Sequence, residues 1–317
     1  MKIIVKASQN DSVWDRYVTQ LSEMGEVVRV TSVVKSSTDA NILITTRLTR
    51  EELELLPNLE AVFLYKTGTD GLPMDELNHR GITVVPSHAV GDVVAEHALT
   101  LGLCLLHRTV EFDNDLRNDI WFSDGKDYFW TGLCGSRAGI VGFGSIGGAL
   151  HKKLLALGAQ VKVLNRSGIY PNGVDGVESL ATLLEWCNIL FLCLPLTPMT
   201  EGIIGEEELE KLKGKFLVNV ARGGLVDQKA LYEALRSHSL RGYASDVWYH
   251  SPCKTDRLKK TAAWDYDFRS LRNVVVSPHS ATHVDGAHEM YIRDSIMNMR
   301  KWLKSKGQLL ARNRESV

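Results

Sequence analysis

The sequence predicts two α/β domains, each with a parallel β-sheet whose strands are joined by helical crossovers. Short apolar runs alternate with helical patterns along the chain, which is the order expected of β-α-β units. A long apolar helical stretch over residues 93–112 separates two such series of strands. The chain shows no repeat at solenoid spacing and no low-complexity segment, so these two series account for its organisation.

The first series contains five strand patterns, separated by helical stretches such as residues 12–24. The predicted strands are MKIIV, VVRV, ILIT, AVFLY and ITVV. A C-terminal helix over about 283–305, rich in Met, Ile and Trp, is expected to rejoin this domain. We therefore expect a first domain made of residues 1–88 plus 283–317, with the second domain, residues 89–282, inserted between them.

The second series contains six strand patterns, and a helical stretch, GGALHKKLLALG, follows the first of them. The predicted strands are AGIVGF, QVKVLN, ILFLCLP, KFLVNVA, GYASDVW and NVVVSP. Open α/β sheets bind ligands at the carboxyl ends of their strands, so the residues that directly follow these strands are the candidates for chemistry. The expected fold is two Rossmann-like or flavodoxin-like domains, with the active site in the cleft between them.

Composition gives few reasons to expect a macromolecular partner. With 44% hydrophobic residues, 24% charged residues and a formal net charge of -1, the chain of 317 residues has the composition of a soluble globular protein. We expect no nucleic acid and no membrane as partner. The N-terminus, MKIIVKAS, has a strand pattern and not that of a signal peptide, and the longest apolar stretch is too short to span a bilayer.

The cysteines indicate a reducing compartment. Five cysteines are scattered along the chain without a CxxC pair. An odd, dispersed set is typical of reduced core thiols and argues against a disulfide framework or a zinc site. We therefore expect a cytoplasmic protein without a bound metal.

A glycine-rich turn directly after the first strand of the second series indicates dinucleotide binding. The turn consists of Gly142, Phe143, Gly144, Ser145, Ile146 and Gly147. A GxGxxG pattern alone is weak evidence, but here it stands between a strand and a helix, as a dinucleotide site requires. The glycines permit a tight turn, close approach of a pyrophosphate and close helix packing, and the helix N-terminus favours the phosphates.

The end of the next strand favours NADP(H). A carboxylate there would bind the ribose hydroxyls of NAD, but this chain has Asn165, Arg166 and Ser167. Arg166 and Ser167 can bind a 2′-phosphate through charge-assisted hydrogen bonds. Alternatively, Arg166 covers the adenine ring, in which case NAD(H) is also accepted. Further cofactor contacts are predicted in the loops after the third and fourth strands, at Leu194, Pro195, Thr200, Val220 and Ala221.

Asp246, at the end of GYASDVW, has two interpretations. As a neighbour of the nicotinamide, it would accept a hydrogen bond from the carboxamide. As a buried aspartate, it would instead be satisfied by backbone amides. The sequence does not favour either interpretation.

A long block of the second series resembles the D-isomer-specific 2-hydroxyacid dehydrogenases, in particular glyoxylate and hydroxypyruvate reductases. The block is LCLPLTPMTEGIIGEEELEKLKGKFLVNVARGGLVDQKALYEAL, and the DVW and SPH segments follow it. The resemblance extends over about residues 60–300. It implies hydride transfer from a nicotinamide cofactor to a small 2-keto acid, the partner substrate of this chain, which gives the D-2-hydroxy acid.

The resemblance also assigns roles to individual residues. Arg222 matches the arginine that holds the substrate, and its planar guanidinium can bind a carboxylate together with the neighbouring carbonyl. His279 matches the histidine that supplies the proton, because imidazole titrates near the operating pH. In the loop YKTGTDG, the backbone N–H groups of Thr67 and Gly68 match the substrate loop and could form an anion nest, although Lys66 stands where relatives often have glycine.

One position departs from the family pattern. Relatives usually carry a glutamate just before the proline that follows the DVW segment, where it orients the histidine, but this chain has Ser251. Ser251 or a water could orient His279, or Asp256 or Glu289 could substitute for the glutamate. A third reading is a dinucleotide-sensing protein without turnover. A formate or phosphite dehydrogenase is a further alternative for the reaction.

The resemblance implies a homodimer formed through the cofactor domain. The stretch VVAEHALTLGLCLLHR is apolar on nearly every side, and a wholly apolar helix must be buried by something. A second copy of the chain is one candidate for this cover. The core of the helix's own domain is the other.

Overall fold

The computed structural model describes residues 1–7, 11–31, 38–69, 71–121, 129–250 and 262–315, with side chains in the C-terminal helix described as far as residue 306. The chain forms two compact units. The first comprises Met1–Val90 and Asp285–Val317, and the second comprises Gly91–Val284. Each unit has a parallel sheet and surrounding helices, which confirms the predicted α/β fold class.

The first unit contains a five-stranded parallel sheet in the order β2-β1-β3-β4-β5. All five predicted strands form, because each is a short apolar run bounded by polar or turn residues. They are β1 (Lys2–Lys6), β2 (Glu26–Val30), β3 (Ile42–Thr45), β4 (Ala61–Leu64) and β5 (Thr83–Val85). This strand order is the flavodoxin-like one.

Several helices of the described residues begin at polar side-chain caps. Asp11 caps the first helix through Val13 N at 3.2 Å, and Thr49 and Glu52 form a capping box at the second. The helices are α1 (Ser12–Ser22), α2 (Arg50–Glu54), α3 (Met74–His79), α4 (Gly91–Leu106), α5 (Thr109–Arg117), α6 (Ser145–Ala156), α7 (Leu180–Trp186), α8 (Glu206–Lys211), α9 (Gln228–Arg236) and α10 (Ala287–Glu315).

Helix α10 completes the core of the first unit. Its side chains Ile292, Ile296 and Met299 are buried in one apolar cluster with Trp14 and Phe63. The predicted C-terminal helix therefore exists, but it starts at Ala287 and runs to Glu315. One face of the first sheet depends on residues from the far end of the chain.

The second unit contains a six-stranded parallel sheet in the order β11-β10-β9-β8-β6-β7. All six predicted strands form, and their register aligns the carboxyl ends at one edge. They are β6 (Arg137–Val141), β7 (Gln160–Leu164), β8 (Ile189–Leu192), β9 (Phe216–Asn219), β10 (Gly242–Ser245) and β11 (Val274–Val276). The strand order reverses next to β6, which is where such sheets bind ligands.

The prediction of one continuous helix over residues 93–112 is wrong. The structure has two helices there, α4 and α5, with Arg108 between them in the left-handed conformation at φ 55°. Neither glycine nor proline marks this break. The Arg108 side chain instead folds onto the first turn of α5, where its Nε lies 2.8 Å from Glu111.

Helix α4 is buried mainly in its own unit. It packs on α6 and on strands β9, β10 and β11. Its apolar side chains Val94, Ala98, Leu101 and Leu105 are at most 5% exposed. Of the two covers considered for this helix, a second copy of the chain and the core of its own domain, the domain core therefore buries most of its apolar surface.

Two further classes of feature are absent from the part of the chain that the structure describes. No described helix has both the length and the apolar character that a bilayer crossing requires. Within the same residues, no cluster of three or more His, Cys, Asp or Glu side chains has the arrangement of a metal site. Burial raises the pKa of the Cys187 thiol to about 11, so this core cysteine is unreactive at neutral pH.

Candidate active site

The glycine turn after β6 is closed on its inner side and open on its outer side. Gly142 has φ 96°, and a Cβ there would lie 2.6 Å from the carbonyl oxygen of Cys193, in the loop after β8. A Cβ at Gly147 would press on the carbonyl oxygen of Gly142. At Gly144, by contrast, a Cβ would meet no atom within 4 Å.

This turn fits the pyrophosphate of a dinucleotide. Gly144 is the N-cap of α6 and supplies no side-chain hydrogen bond to the first turn of that helix. The backbone N–H groups of the first turn of α6 therefore lie beside the open space over Gly144. Helix N-termini with uncapped N–H groups bind phosphate through these donors and through the helix dipole.

The loop after β7 is ordered by its own polar side chains. Asn165 Nδ2 donates to Ser167 Oγ at 2.9 Å, and Ile169 N donates to the same oxygen at 3.3 Å. Tyr170 Oη accepts from Asn165 N at 3.1 Å and donates to Val177 O at 3.1 Å. Arg166 is exposed on this loop. Asn165 thus holds the backbone, and Ser167 keeps its own proton for another acceptor.

The loops after β8 and β9 are also fixed locally. Thr200 Oγ1 donates to Pro195 O at 2.7 Å and accepts from Thr197 N at 2.8 Å, so its hydroxyl closes the turn in which it lies. After β9, Val220 and Ala221 are buried, and Leu194 packs against the core of the unit.

Asn219, the last residue of β9, positions the backbone that leads to Arg222. Its fully buried side chain accepts from Ala221 N at 3.0 Å and donates to Arg222 O at 2.9 Å. Arg222 is half-buried, with extended backbone, and its Nη1 donates to Ala221 O at 2.7 Å. A Cβ at the next residue, Gly223, would lie 2.5 Å from the carbonyl carbon of Trp248, so only glycine allows this approach of the two loops.

The Asp246 carboxylate binds the loop that follows β11. Oδ1 accepts from Ser277 Oγ at 2.5 Å and from Ser280 N at 2.8 Å, while Oδ2 accepts from Ala281 N at 2.9 Å. Asp246 is 1% exposed. Of the two interpretations open at the sequence level, the structure therefore shows the second, a buried aspartate satisfied by backbone amides.

His279 lies inside the segment that Asp246 holds. Its backbone is left-handed at φ 56°, and its side chain is exposed. Such a conformation costs a non-glycine residue about 1–3 kcal/mol and persists only where the surroundings impose it. The hydrogen bonds to Ser277, Ser280 and Ala281 impose it from both sides of the histidine.

The sheet brings Arg222 and His279 to the same edge. Arg222 follows β9, His279 follows β11, and β10 lies between these two strands with parallel pairing on both sides. Neighbouring strands are about 4.8 Å apart, so the two strand ends are separated by roughly 10 Å. This is a separation that two side chains can bridge around a small molecule.

In the first unit, the loop after β4 carries Thr67 and Gly68, both half-buried. Thr67 Oγ1 lies 3.4 Å from Tyr291 Oη, and Lys66 O accepts from Ser87 N at 3.0 Å. These contacts fix the loop to α10 and to the end of β5. The anion nest at Thr67 and Gly68 stays a prediction.

The acids considered as substitutes for the family glutamate have different outcomes. Glu289 accepts from Tyr17 Oη at 2.8 Å and pairs with Arg16 at 3.3 Å, both within the first unit. The hydrogen bond from Tyr17 lowers the pKa of Glu289. Ser251 and Asp256 lie outside the residues that the structure describes.

Comparison with known proteins identifies the family. Residues 99–281 match the family model described as D-isomer specific 2-hydroxyacid dehydrogenase, NAD binding domain. The match covers more than half of the chain. The protein belongs to the D-isomer-specific 2-hydroxyacid dehydrogenases. It is therefore an oxidoreductase with an NAD(P)-binding domain.

Individual relatives of this dehydrogenase agree with the family assignment. A glycerate dehydrogenase of Methylorubrum extorquens is 31% identical over 81% of this chain and 80% of its own length. A glyoxylate reductase of Thermofilum pendens is 33% identical over 83% of this chain and 77% of its own length. Among solved structures, an NADPH-dependent glyoxylate/hydroxypyruvate reductase of Sinorhizobium meliloti, in complex with NADP and malonate, is 25% identical, with a TM-score of 0.76 over 95% of this chain and 93% of its own.

Sequence reasoning missed several polar residues that position the dehydrogenase's loops. Asn219 is the one polar residue of the strand FLVN, and Ser277 directly precedes the Pro-His pair. His97 lies on the mainly apolar helix α4, with Nε2 3.1 Å from Ser277 Oγ. A polar residue at the end of an apolar strand, or the single histidine of a mainly apolar helix, was the available signal. Their partners depend on strand order, which the sequence does not show.

The open side of the glycine turn gives a test of dinucleotide binding that is separate from folding. We expect Gly144→Val to leave the thermal unfolding temperature close to that of the parent, because a Cβ there meets no protein atom within 4 Å. The same side chain would occupy the space that a pyrophosphate needs, so we expect NADPH affinity to fall at least about tenfold. Calorimetric titration and thermal unfolding measure the two effects. Unchanged affinity would show that the dinucleotide binds elsewhere.

Proposed function

We propose that the protein reduces a small 2-keto acid, such as glyoxylate or hydroxypyruvate, to the corresponding D-2-hydroxy acid with NADP(H) as the preferred cofactor. The observation that carries this proposal is the clamped, left-handed His279 at the edge where Arg222 also emerges. Backbone strain of this kind is concentrated at functional sites. The names of the relatives, several of them glyoxylate reductases, support the substrate class.

In this proposal Arg222 binds the substrate carboxylate. Its guanidinium is permanently charged and planar, so it can donate two parallel hydrogen bonds to a carboxylate and orient the adjacent carbonyl. Asn219 and Gly223 support the role, because they fix the backbone on either side of the arginine. The backbone N–H groups of Thr67 and Gly68 are the proposed carboxylate donors of the first unit.

His279 is the proposed general acid. Addition of hydride to the carbonyl carbon leaves negative charge on the carbonyl oxygen, and an imidazolium can deliver a proton to that atom. A reduced nicotinamide dinucleotide, held through its pyrophosphate at the glycine turn, would supply the hydride. Asp246 keeps the histidine in place by holding both ends of its loop.

We expect His279→Gln to lower kcat by about 10²–10⁴ while leaving NADPH affinity unchanged, because only the proton donor is lost. Arg222→Lys keeps the charge but loses the planar fork, so KM for the keto acid should rise and kcat should fall. Initial rates of NADPH oxidation with a panel of small 2-keto acids measure both variants.

The matched control is Arg269→Lys, since Arg269 is an exposed arginine of the same unit that pairs with Asp267 at 3.2 Å. This variant should retain parental kinetics. A parent chain that binds NADPH but turns over no 2-keto acid would favour a dinucleotide sensor over an enzyme. Cofactor reduction by formate or phosphite would favour the other dehydrogenase reaction.

NADP(H) preference is proposed from the loop after β7. The exposed Arg166 and the unused proton of Ser167 lie on a loop that Asn165 and Tyr170 hold in place. Both groups are suited to a 2′-phosphate, and no carboxylate precedes them in this loop. One solved neighbour holds NADP and another holds NAD, so the proposed preference rests on this loop and not on the neighbours.

We expect Arg166→Asp to lower kcat/KM for NADPH by about one to two decades, because hydrogen bonds to a charged group contribute about 1.5–3 kcal/mol. The value for NADH should change little or rise. Arg166→Gln, which removes the charge without reversing it, should give an intermediate ratio. A parent that uses NADH as well as NADPH would contradict the preference.

A homodimer is proposed from exposed aromatic side chains of the second unit. Trp121, Phe129 and Trp130 are 81%, 69% and 55% exposed, which is unusual for side chains of this size. A second copy of the chain would cover them.

We expect sedimentation to give a dimer for the parent protein. The combined change Trp121→Ser and Phe129→Ser should shift the protein toward the monomer. A monomeric parent would contradict this assembly.

A further inference from the structure

His97 contacts the network that holds the His279 loop, although it lies far from that loop in sequence. It is on α4, and its side chain is 27% exposed. Its Nε2 lies 3.1 Å from Ser277 Oγ and 3.4 Å from Asp246 Oδ1. No motif in the chain assigns a role to this histidine, and the proposed reaction does not use it.

The proton positions in this network follow from the donors and acceptors present. Asp246 Oδ1 accepts from Ser280 N at 2.8 Å, and Ser277 Oγ donates its single proton to the same oxygen across their 2.5 Å contact. Ser277 Oγ can then only accept from His97. The hydrogen of the His97 ring is therefore on Nε2. Ser280 Oγ, 3.0 Å from Ser277 Oγ, occupies the second lone pair of that hydroxyl.

This arrangement fixes the rotamer of Ser277 from two sides. One side is the Asp246 carboxylate, and the other is the His97 N–H. Ser277 lies two residues before His279, whose left-handed backbone must be held by its neighbours. Loss of the His97 donor would leave Ser277 Oγ with one fewer partner in a position that is 7% exposed.

Helix α4 also contacts the dinucleotide turn. A Cβ at Gly91, where the helix begins, would lie 2.8 Å from the Cβ of Ser145, the first residue of α6. Gly91 and His97 are separated by about 9 Å along the helix, at 1.5 Å per residue. One rigid helix thus contacts both the predicted phosphate site and the loop of the proton donor.

We propose that His97 is a positioning residue for the proton-transfer step: through its Nε2–H bond to Ser277 it holds the His279 loop in register with the glycine turn. This inference deepens the proposed reduction and depends on it. It assigns His97 no contact with substrate or cofactor. Its effect is on the placement of the His279 ring.

The test compares His97→Phe, which removes the donor, with His97→Gln, whose amide nitrogen can replace it. We expect His97→Phe to lower kcat by about 10–100-fold, because displacements of about 1 Å at a reacting group cost this much. The dissociation constant of NADPH should stay at the parental value. His97→Gln should recover most of kcat. His79→Phe, which changes an exposed histidine at the end of α3 in the first unit, is the matched control and should keep the parental kcat.

A double-mutant cycle identifies the route of the effect. In a Ser277→Ala background the His97 donor has lost its acceptor, so His97→Phe should lower kcat much less than it does in the parent. An undiminished effect in that background would refute the proposed route. Equal loss in His97→Phe and His97→Gln, or no loss in either, would also refute the proposal.

A measurement that needs no turnover separates this inference from the proposed function. The ring resonance of His279, assigned with His279→Asn, should shift or broaden in full-length His97→Phe and return in His97→Gln. An unchanged resonance in His97→Phe overturns the positioning role whether or not the parent reduces a keto acid. Absent turnover in the parent, together with the expected change in resonance, overturns only the proposed reaction.

Discussion

The carboxylate of Asp246 is the constraint on which the active edge of the second unit depends. It is buried, and it uses both oxygens to bind a neighbouring loop. A buried charge is tolerated only when several donors satisfy it, and here the donors belong to the segment that carries His279. The hydrogen bonds that satisfy the Asp246 carboxylate therefore also determine the backbone conformation of His279. At the end of the neighbouring strand β9, the Asn219 side chain likewise accepts from Ala221 N and donates to Arg222 O, and it thereby holds the backbone at Arg222.

The fold was accessible from sequence because its strands are short apolar runs with clear boundaries. All eleven strand patterns form strands, and their division between two sheets follows the order of the chain. The break at Arg108 was not accessible, since the residue that adopts the left-handed conformation there is neither glycine nor asparagine. Its local cause is the side-chain contact with Glu111 in the following turn.

The candidate site was accessible only in part. Arg222 and His279 could be assigned because they lie in a block that resembles a known family. Asp246 could be located but not interpreted, because its partners belong to the loop after a neighbouring strand. Asn219, Ser277 and His97 act through groups that strand order brings together, and no spacing rule within one segment shows that order. Residues with a proposed role in ligand binding are thus easier to find from sequence than the residues that hold them in place.

The three glycines of the turn after β6 have different surroundings. Gly142 and Gly147 are required because protein atoms come too close for a Cβ, whereas Gly144 faces space in which a Cβ would meet nothing. The first two glycines therefore serve the packing of the protein. The third is the glycine that we propose for a ligand, since the protein leaves open space at its Cβ position.

The return of α10 to the first unit has a consequence for biosynthesis. The apolar face formed by residues such as Trp14 and Phe63 is covered by Ile292 and Ile296, which are synthesised much later. Roughly 200 residues are made in between, which takes about 10–40 s at ordinary elongation rates. During that interval the nascent first unit exposes an apolar surface, while the second unit can already fold. We therefore expect chaperones to bind the nascent chain at this surface.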